Sequence, residues 1–336
     1  MAEKKERLYG FDNLKFLLIF LVVLGHFLEF SMEFDGSDLL RRIIYSFHMP
    51  AFIFLTGYFA KFRPKKIAFE YGFTYVLFQV LYLLFSFYIL EGEELVIQFS
   101  FPNWLLWYLF ATIAYYLLIP LIDVGKLWQK IGIVLISVAA ALYAGNDPYL
   151  GYGLSAARIV SFLPFFLLGF YCGKKKGVPL KGKKLWLRMA VGILLTAAVI
   201  GICLYLRAHE ELTIYSMYGA VSYENGHYTM CDRALLMFFA LLWIAFLMAA
   251  VLPLVNRKIP VISDIGKNSF SVFLLHGFVV KYCTYYSFPF AFDNAVKVLG
   301  ATVILVLLCG NPLTAWVFRN FLTGQGIEKL LAKKKI

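Results

Sequence analysis

Apolar and polar positions alternate along the chain in blocks, with about twenty mostly apolar residues followed by a short segment rich in Lys, Arg, Glu, Gly or Pro. A helix of about twenty residues crosses the hydrocarbon core of a bilayer. The pattern predicts an all-α, polytopic integral membrane protein of about ten transmembrane helices, near 11–31, 43–60, 68–90, 104–122, 128–145, 153–172, 185–207, 233–254, 269–287 and 296–318. The expected organisation is a cytoplasmic N-terminal segment (1–10), a membrane domain (11–318) and a basic cytoplasmic tail (319–336). The basic stretch Met1 to Tyr9 precedes an apolar block with no small-residue cleavage site, so the first helix is expected to be retained.

Composition agrees with the pattern. Hydrophobic residues make up 61% of the chain, charged residues 15%, and mean hydropathy is +0.75. Soluble domains carry roughly 25% charged residues. The net charge of +12 does not point to nucleic acid, because the basic residues sit in short runs between apolar blocks rather than on one folded face. The five cysteines show no CxxC spacing, and no metal site is expected.

The charges orient the helices. Lys and Arg are retained on the cytoplasmic side. With the N-terminus inside, the inward segments hold Lys4, Lys5 and Arg7; Lys61, Arg63, Lys65 and Lys66; Lys126 and Lys130; the run Lys174 to Arg188; Arg257, Lys258 and Lys267; and a tail ending in Lys333, Lys334 and Lys335. The outward segments carry only Arg41, Arg42, Arg207, Arg233, Lys281 and Lys297, together with acids such as Glu91, Glu93, Glu94, Glu210 and Glu211. Both termini are therefore expected in the cytoplasm, with the protein in the cell membrane. The longest outward segment, Ala208 to Asp232, is either a solvated connector or a contact for an external substrate.

Ionisable groups inside a bilayer are costly and tend to mark function. The first helix carries Asp12, Lys15 and His26. Lys15 and His26 are eleven residues apart, which puts them within ~20° of one face and roughly 16 Å apart along the axis. A hairpin turning near Gly36 brings His48 of the second helix to the depth of His26, and Arg158 reaches a comparable level from the sixth. Each has a plainer reading. His48 and His276 suit helix–helix hydrogen bonds, Lys15 suits snorkelling to the interface, and Arg158 suits a structural ion pair. His26 combines depth with alignment above Lys15.

Five elements, in order, resemble the membrane acyltransferase-3 family. The first is Arg7, Asp12, Lys15 and His26 in register. The second is Phe47-His48-Met49-Pro50 leading to Thr56-Gly57-Tyr58. The others are Trp104 to Leu109 with Trp107-Tyr108-Leu109, Arg158 with Phe162, Pro164, Phe166 and Gly169, and Asn268-Ser269 to His276. The likeness spans nearly the whole chain, which resembles the compact sugar O-acetylase-like members that lack the extracytoplasmic esterase-like domain some relatives carry. Lys15 stands where many members have Arg, which removes a planar bidentate contact, and Asn13 stands where Gly is commoner.

The resemblance implies transfer of an acyl group, usually acetyl, from cytoplasmic acetyl-CoA or another acyl-CoA to an outward-facing hydroxyl. Arg7, Asp12 and Lys15 would serve the donor, with Lys15 attracting its phosphates. His26 would act with His48 and Arg158 in catalysis, as general base or through an acyl-histidine. The expected acceptor is a cell-surface glycan or lipid-linked sugar. Trp104, Trp107, Tyr108, Tyr149 and Tyr152 either stack on its rings or form the ordinary aromatic belt. The competing function is a small-molecule transporter or flippase with a charged pathway, although no internal duplication is visible. Membrane lipids are expected partners and nucleic acid is not.

Overall fold

The computed structural model describes residues 7–31, 34–91, 98–174, 183–286 and 292–325, which are mostly helical with no strand among them. The charges expected at Lys4, Lys5, Glu93, Glu94, Lys333, Lys334 and Lys335, and part of the Lys174 to Arg188 run, lie outside these residues.

Every apolar block forms a helix. The main elements are α1 (Tyr9–Phe30), α2 (Ser37–Tyr58), α3 (Pro64–Tyr88), α4 (Trp104–Ile122), α5 (Leu127–Asn146), α6 (Gly153–Gly173), α7 (Leu185–Ala208), α8 (Met230–Leu254), a short α9 (Ile262–Lys267), α10 (Ser269–Tyr285), α11 (Ala295–Gly310) and α12 (Pro312–Phe321), with single turns at Ile214–Met217 and Tyr223–Gly226 between α7 and α8. Seven are long and apolar enough to cross a membrane, or eight when the bent pair α11 and α12 is taken as one span. α2, with Arg41, Arg42 and His48, is more polar than these, and α10 has 17 residues.

Three local features depart from a run of regular helices. α2 begins at Ser37, immediately after Gly36, whose φ of +79° suits a residue without a side chain. α3 contains a π-helical turn at Ile67–Gly72. The expected tenth helix is broken at Asn311, where Asn311 caps α12 by accepting from the Thr314 amide and Pro312 has no N–H to continue the ladder; the two parts meet at 54°.

α1 runs through the centre, with 67% of its most apolar stretch buried, whereas α5 and α7 at the periphery reach only 17%. The tightest pair is α2 with α6. A Cβ on Gly57 would collide with the Phe166 carbonyl, one on Gly169 with the Phe54 carbonyl, and one on Gly173 with the Tyr58 carbonyl. Small residues four apart let helices pack backbone to backbone in a bilayer. This close packing of α2 on α6 brings the Arg158 segment level with His48.

At the other end of α1, Asn13 ties the helix to α9 and to the segment before it. Its Nδ2 donates to the carbonyls of Val255 (2.6 Å) and Arg257 (2.9 Å), and its Oδ1 accepts from Ser263 Oγ (2.6 Å). Gly266 packs directly on the Asp12 carbonyl. A residue that the sequence marks only as a departure is thus a structural pin.

Candidate active site

His26, His48 and Arg158 line one cavity of about 220 Å³, with Glu29, Tyr45, Trp104, Trp107, Tyr152 and Tyr218 also in its wall. Antiparallel packing of α1 and α2 puts Tyr45 between the two histidines, its ring centroid 6.3 Å from that of His26 and 4.8 Å from that of His48. His48 is 3% exposed and directs Nδ1 at the Ile44 carbonyl one turn back, 2.7 Å away. His276 of α10, 0% exposed, does the same with the Val272 carbonyl at 2.9 Å, and its ring stacks 5.5 Å from that of His26. A carbonyl accepts only, so each of these rings carries its proton on Nδ1.

Arg158 forms no ion pair among the described residues. Its Nε donates to the Tyr218 carbonyl (3.3 Å), and its guanidinium lies 5.0 Å from the Trp107 ring centre, 5.2 Å from Tyr152 and 5.8 Å from Tyr218. Aromatic faces stabilise a cation without neutralising it. Leu154 and Ser155, both with φ of +52°, turn the chain within the first turn of α6, and Tyr152, just before it, lies over the guanidinium.

Lys15, Asp12 and Arg7 gather at the opposite end of α1. The Asp12 carboxylate joins Arg7 Nε (2.7 Å) and Lys15 Nζ (3.0 Å). All three line a cavity of about 680 Å³ that also has Lys61, Asp123 and Lys174 in its wall. Lys15 lines a second cavity too, of about 340 Å³, together with Lys66, Lys267, Glu70, Thr56 and Tyr108. Tyr108 therefore faces this second cavity, where its hydroxyl is 2.6 Å from Thr56 Oγ1, while Trp107 faces the His26 cavity. Of the five aromatics expected at the acceptor, the neighbours Trp107 and Tyr108 are thus divided between two chambers.

The second cavity and the His26 cavity share three wall residues, Val22, Met49 and Phe273. Val22 lies one turn before His26, Met49 directly follows His48, and Phe273 lies three residues before His276. α1, α2 and α10 thus each set an apolar residue beside a histidine, and together these residues form the wall between the chambers.

Several members of the His26 cavity carry no signal of their own in the sequence. Glu29 reads as an acid near a helix end, Tyr45 as an interior aromatic, and Tyr218 as part of a loop. The spacing of Glu29 from His26, three residues on one helix, was the available clue.

A polytopic helical membrane protein with a histidine-lined chamber at one end and a cation-lined chamber at the other is the class that fold and site define. A family model described as an acyltransferase domain matches residues 8–310, and the chain belongs to this acyltransferase-3 family. It is therefore a membrane acyltransferase. No curated protein and no solved structure matches it.

Proposed function

We propose that the chain moves an acyl group, most simply acetyl, from cytoplasmic acyl-CoA to a hydroxyl of a cell-surface glycan or lipid-linked sugar in the cell membrane. The observation that carries this reading is the abutment of the Lys15 and His26 chambers at Val22, Met49 and Phe273. A donor held by its phosphates near Lys15, Lys66 and Lys267 has a thin pantetheine arm to extend toward His26, along the roughly 16 Å that separates the two levels of α1.

His26 acts as general base. Its ring nitrogen takes the proton of the acceptor hydroxyl as the oxygen attacks the thioester carbonyl carbon. The carbonyl oxygen gains the negative charge, and the Arg158 guanidinium, held against aromatic faces rather than in an ion pair, stabilises it. Collapse breaks the carbon–sulfur bond, and the departing thiolate receives the proton from the imidazolium. The products are an ester on the acceptor and free CoA. Tyr152 and Trp107, already against Arg158, offer aromatic faces to a sugar ring.

Purified protein given labelled acetyl-CoA and candidate glycans tests the reaction. Release of free CoA with label on the glycan is the expected result. Uptake of glycan into vesicles without CoA release would identify a transporter instead.

A further inference from the structure

Glu29 stands three residues beyond His26 on α1, with Oε2 3.4 Å from His26 Nδ1. The side chains are only 24% and 14% exposed, so the carboxylate has little water to satisfy it. It is satisfied by protein instead. Tyr45 donates its hydroxyl to Oε1 in a short bond, and Tyr218 donates to the same oxygen at 2.8 Å. Burial and the adjacent Glu29 raise the Tyr218 phenol above its ordinary pKa, so it remains a donor.

These bonds decide which nitrogen of His26 carries the proton. Tyr45 has one hydroxyl hydrogen and gives it to Glu29, which leaves its oxygen, 3.2 Å from His26 Nδ1, to accept. The two groups facing Nδ1, the carboxylate and the Tyr45 oxygen, are then both acceptors. Nδ1 is therefore the protonated nitrogen, and Nε2 holds the basic lone pair. His48 and His276 show the same tautomer, but against a neutral backbone carbonyl. Among the histidines of this cluster, His26 alone faces a carboxylate.

We infer that Glu29 is the positioning residue of His26, fixing its tautomer and stabilising the imidazolium that forms when His26 takes a proton, with Tyr45 and Tyr218 as the clamp that aims the carboxylate. The arrangement follows the general logic of a base oriented by a buried acid. It also gives the outward segment a task. Tyr218 lies between α7 and α8, and through it this segment reaches the base on α1. The inference rests on the assignment of His26 as the base of acyl transfer, so its test must separate the two.

The test compares wild type with Glu29→Gln and His26→Ala, in detergent, with acetyl-CoA and an accepted glycan. Glutamine keeps the shape and an acceptor oxygen for the tyrosines but loses the charge, so a merely structural Glu29 would tolerate it. The expected result for Glu29→Gln is a kcat lowered about 10- to 100-fold with an unchanged KM for acetyl-CoA. A kcat within twofold of wild type, while His26→Ala is inactive, would overturn the role of Glu29 and leave that of His26 intact. Activity retained in His26→Ala would overturn both. If Glu29→Gln does not fold, the double variant Tyr45→Phe/Tyr218→Phe frees the carboxylate without removing it. A lowered kcat at unchanged donor KM then sustains the inference, and an undiminished kcat overturns it.

Discussion

Lys15 and His26 occupy one face of α1, yet Lys15 lines the chambers at one end of the helix and His26 the chamber at the other. A single helix thus joins the place where a phosphate-bearing donor is held to the place where a proton is moved. The consequences can be measured at each residue separately.

At His26, substitution by Ala removes the base. Transfer is expected to fall by about 10²- to 10⁴-fold, while the variant still inserts and elutes as wild type from a sizing column. Radiolabel on the acceptor measures it, and normal activity would exclude His26 as the base.

Lys15 should act on binding rather than chemistry. One charge-assisted contact contributes about 1.5–3 kcal/mol, so Lys15→Ala should raise the KM for acetyl-CoA about tenfold or more with kcat changed less. Steady-state kinetics over a range of donor concentrations measures the split. Removing Lys15 also leaves Asp12 with Arg7 as its remaining ion-pair partner.

The wall of Val22, Met49 and Phe273 should limit the acyl group. Each methylene accommodated in an apolar pocket is worth about 1–3 kcal/mol. Phe273→Ala should therefore raise the use of hexanoyl-CoA relative to acetyl-CoA about tenfold or more. The ratio of kcat/KM for the two donors measures this, and an unchanged ratio would show that the wall does not select.

The helices were legible in the sequence because hydropathy acts over whole segments, and every block expected to be helical is so. The break at Asn311 was hidden inside an apolar block, since only Pro312 marks it. In the site, His26, His48 and Arg158 converge as their depths suggested. Tyr108 shows why depth is not enough. It adjoins Trp107 in sequence, but the helical turn of about 100° per residue aims the two into different chambers. Glu29 and Tyr218 meet across 189 positions of chain, a contact no local pattern encodes.

Packing gives a prediction independent of chemistry. Gly169→Leu drives a side chain into the Phe54 backbone, and Asn13→Ala removes three bonds that pin α1. Each should cost about 1–3 kcal/mol or more, read as a lower Tm in detergent. An unchanged Tm for Gly169→Leu would contradict the backbone contact between α2 and α6.

The central claim is that donor and acceptor meet from opposite ends of α1. It is tested most directly in sealed vesicles of known protein orientation, with labelled acetyl-CoA supplied on one face and the glycan on the other. Acetylation of the glycan only when acetyl-CoA is on the Lys15 face is the expected result. Equal acetylation from either face, or glycan movement with no CoA released, would contradict it.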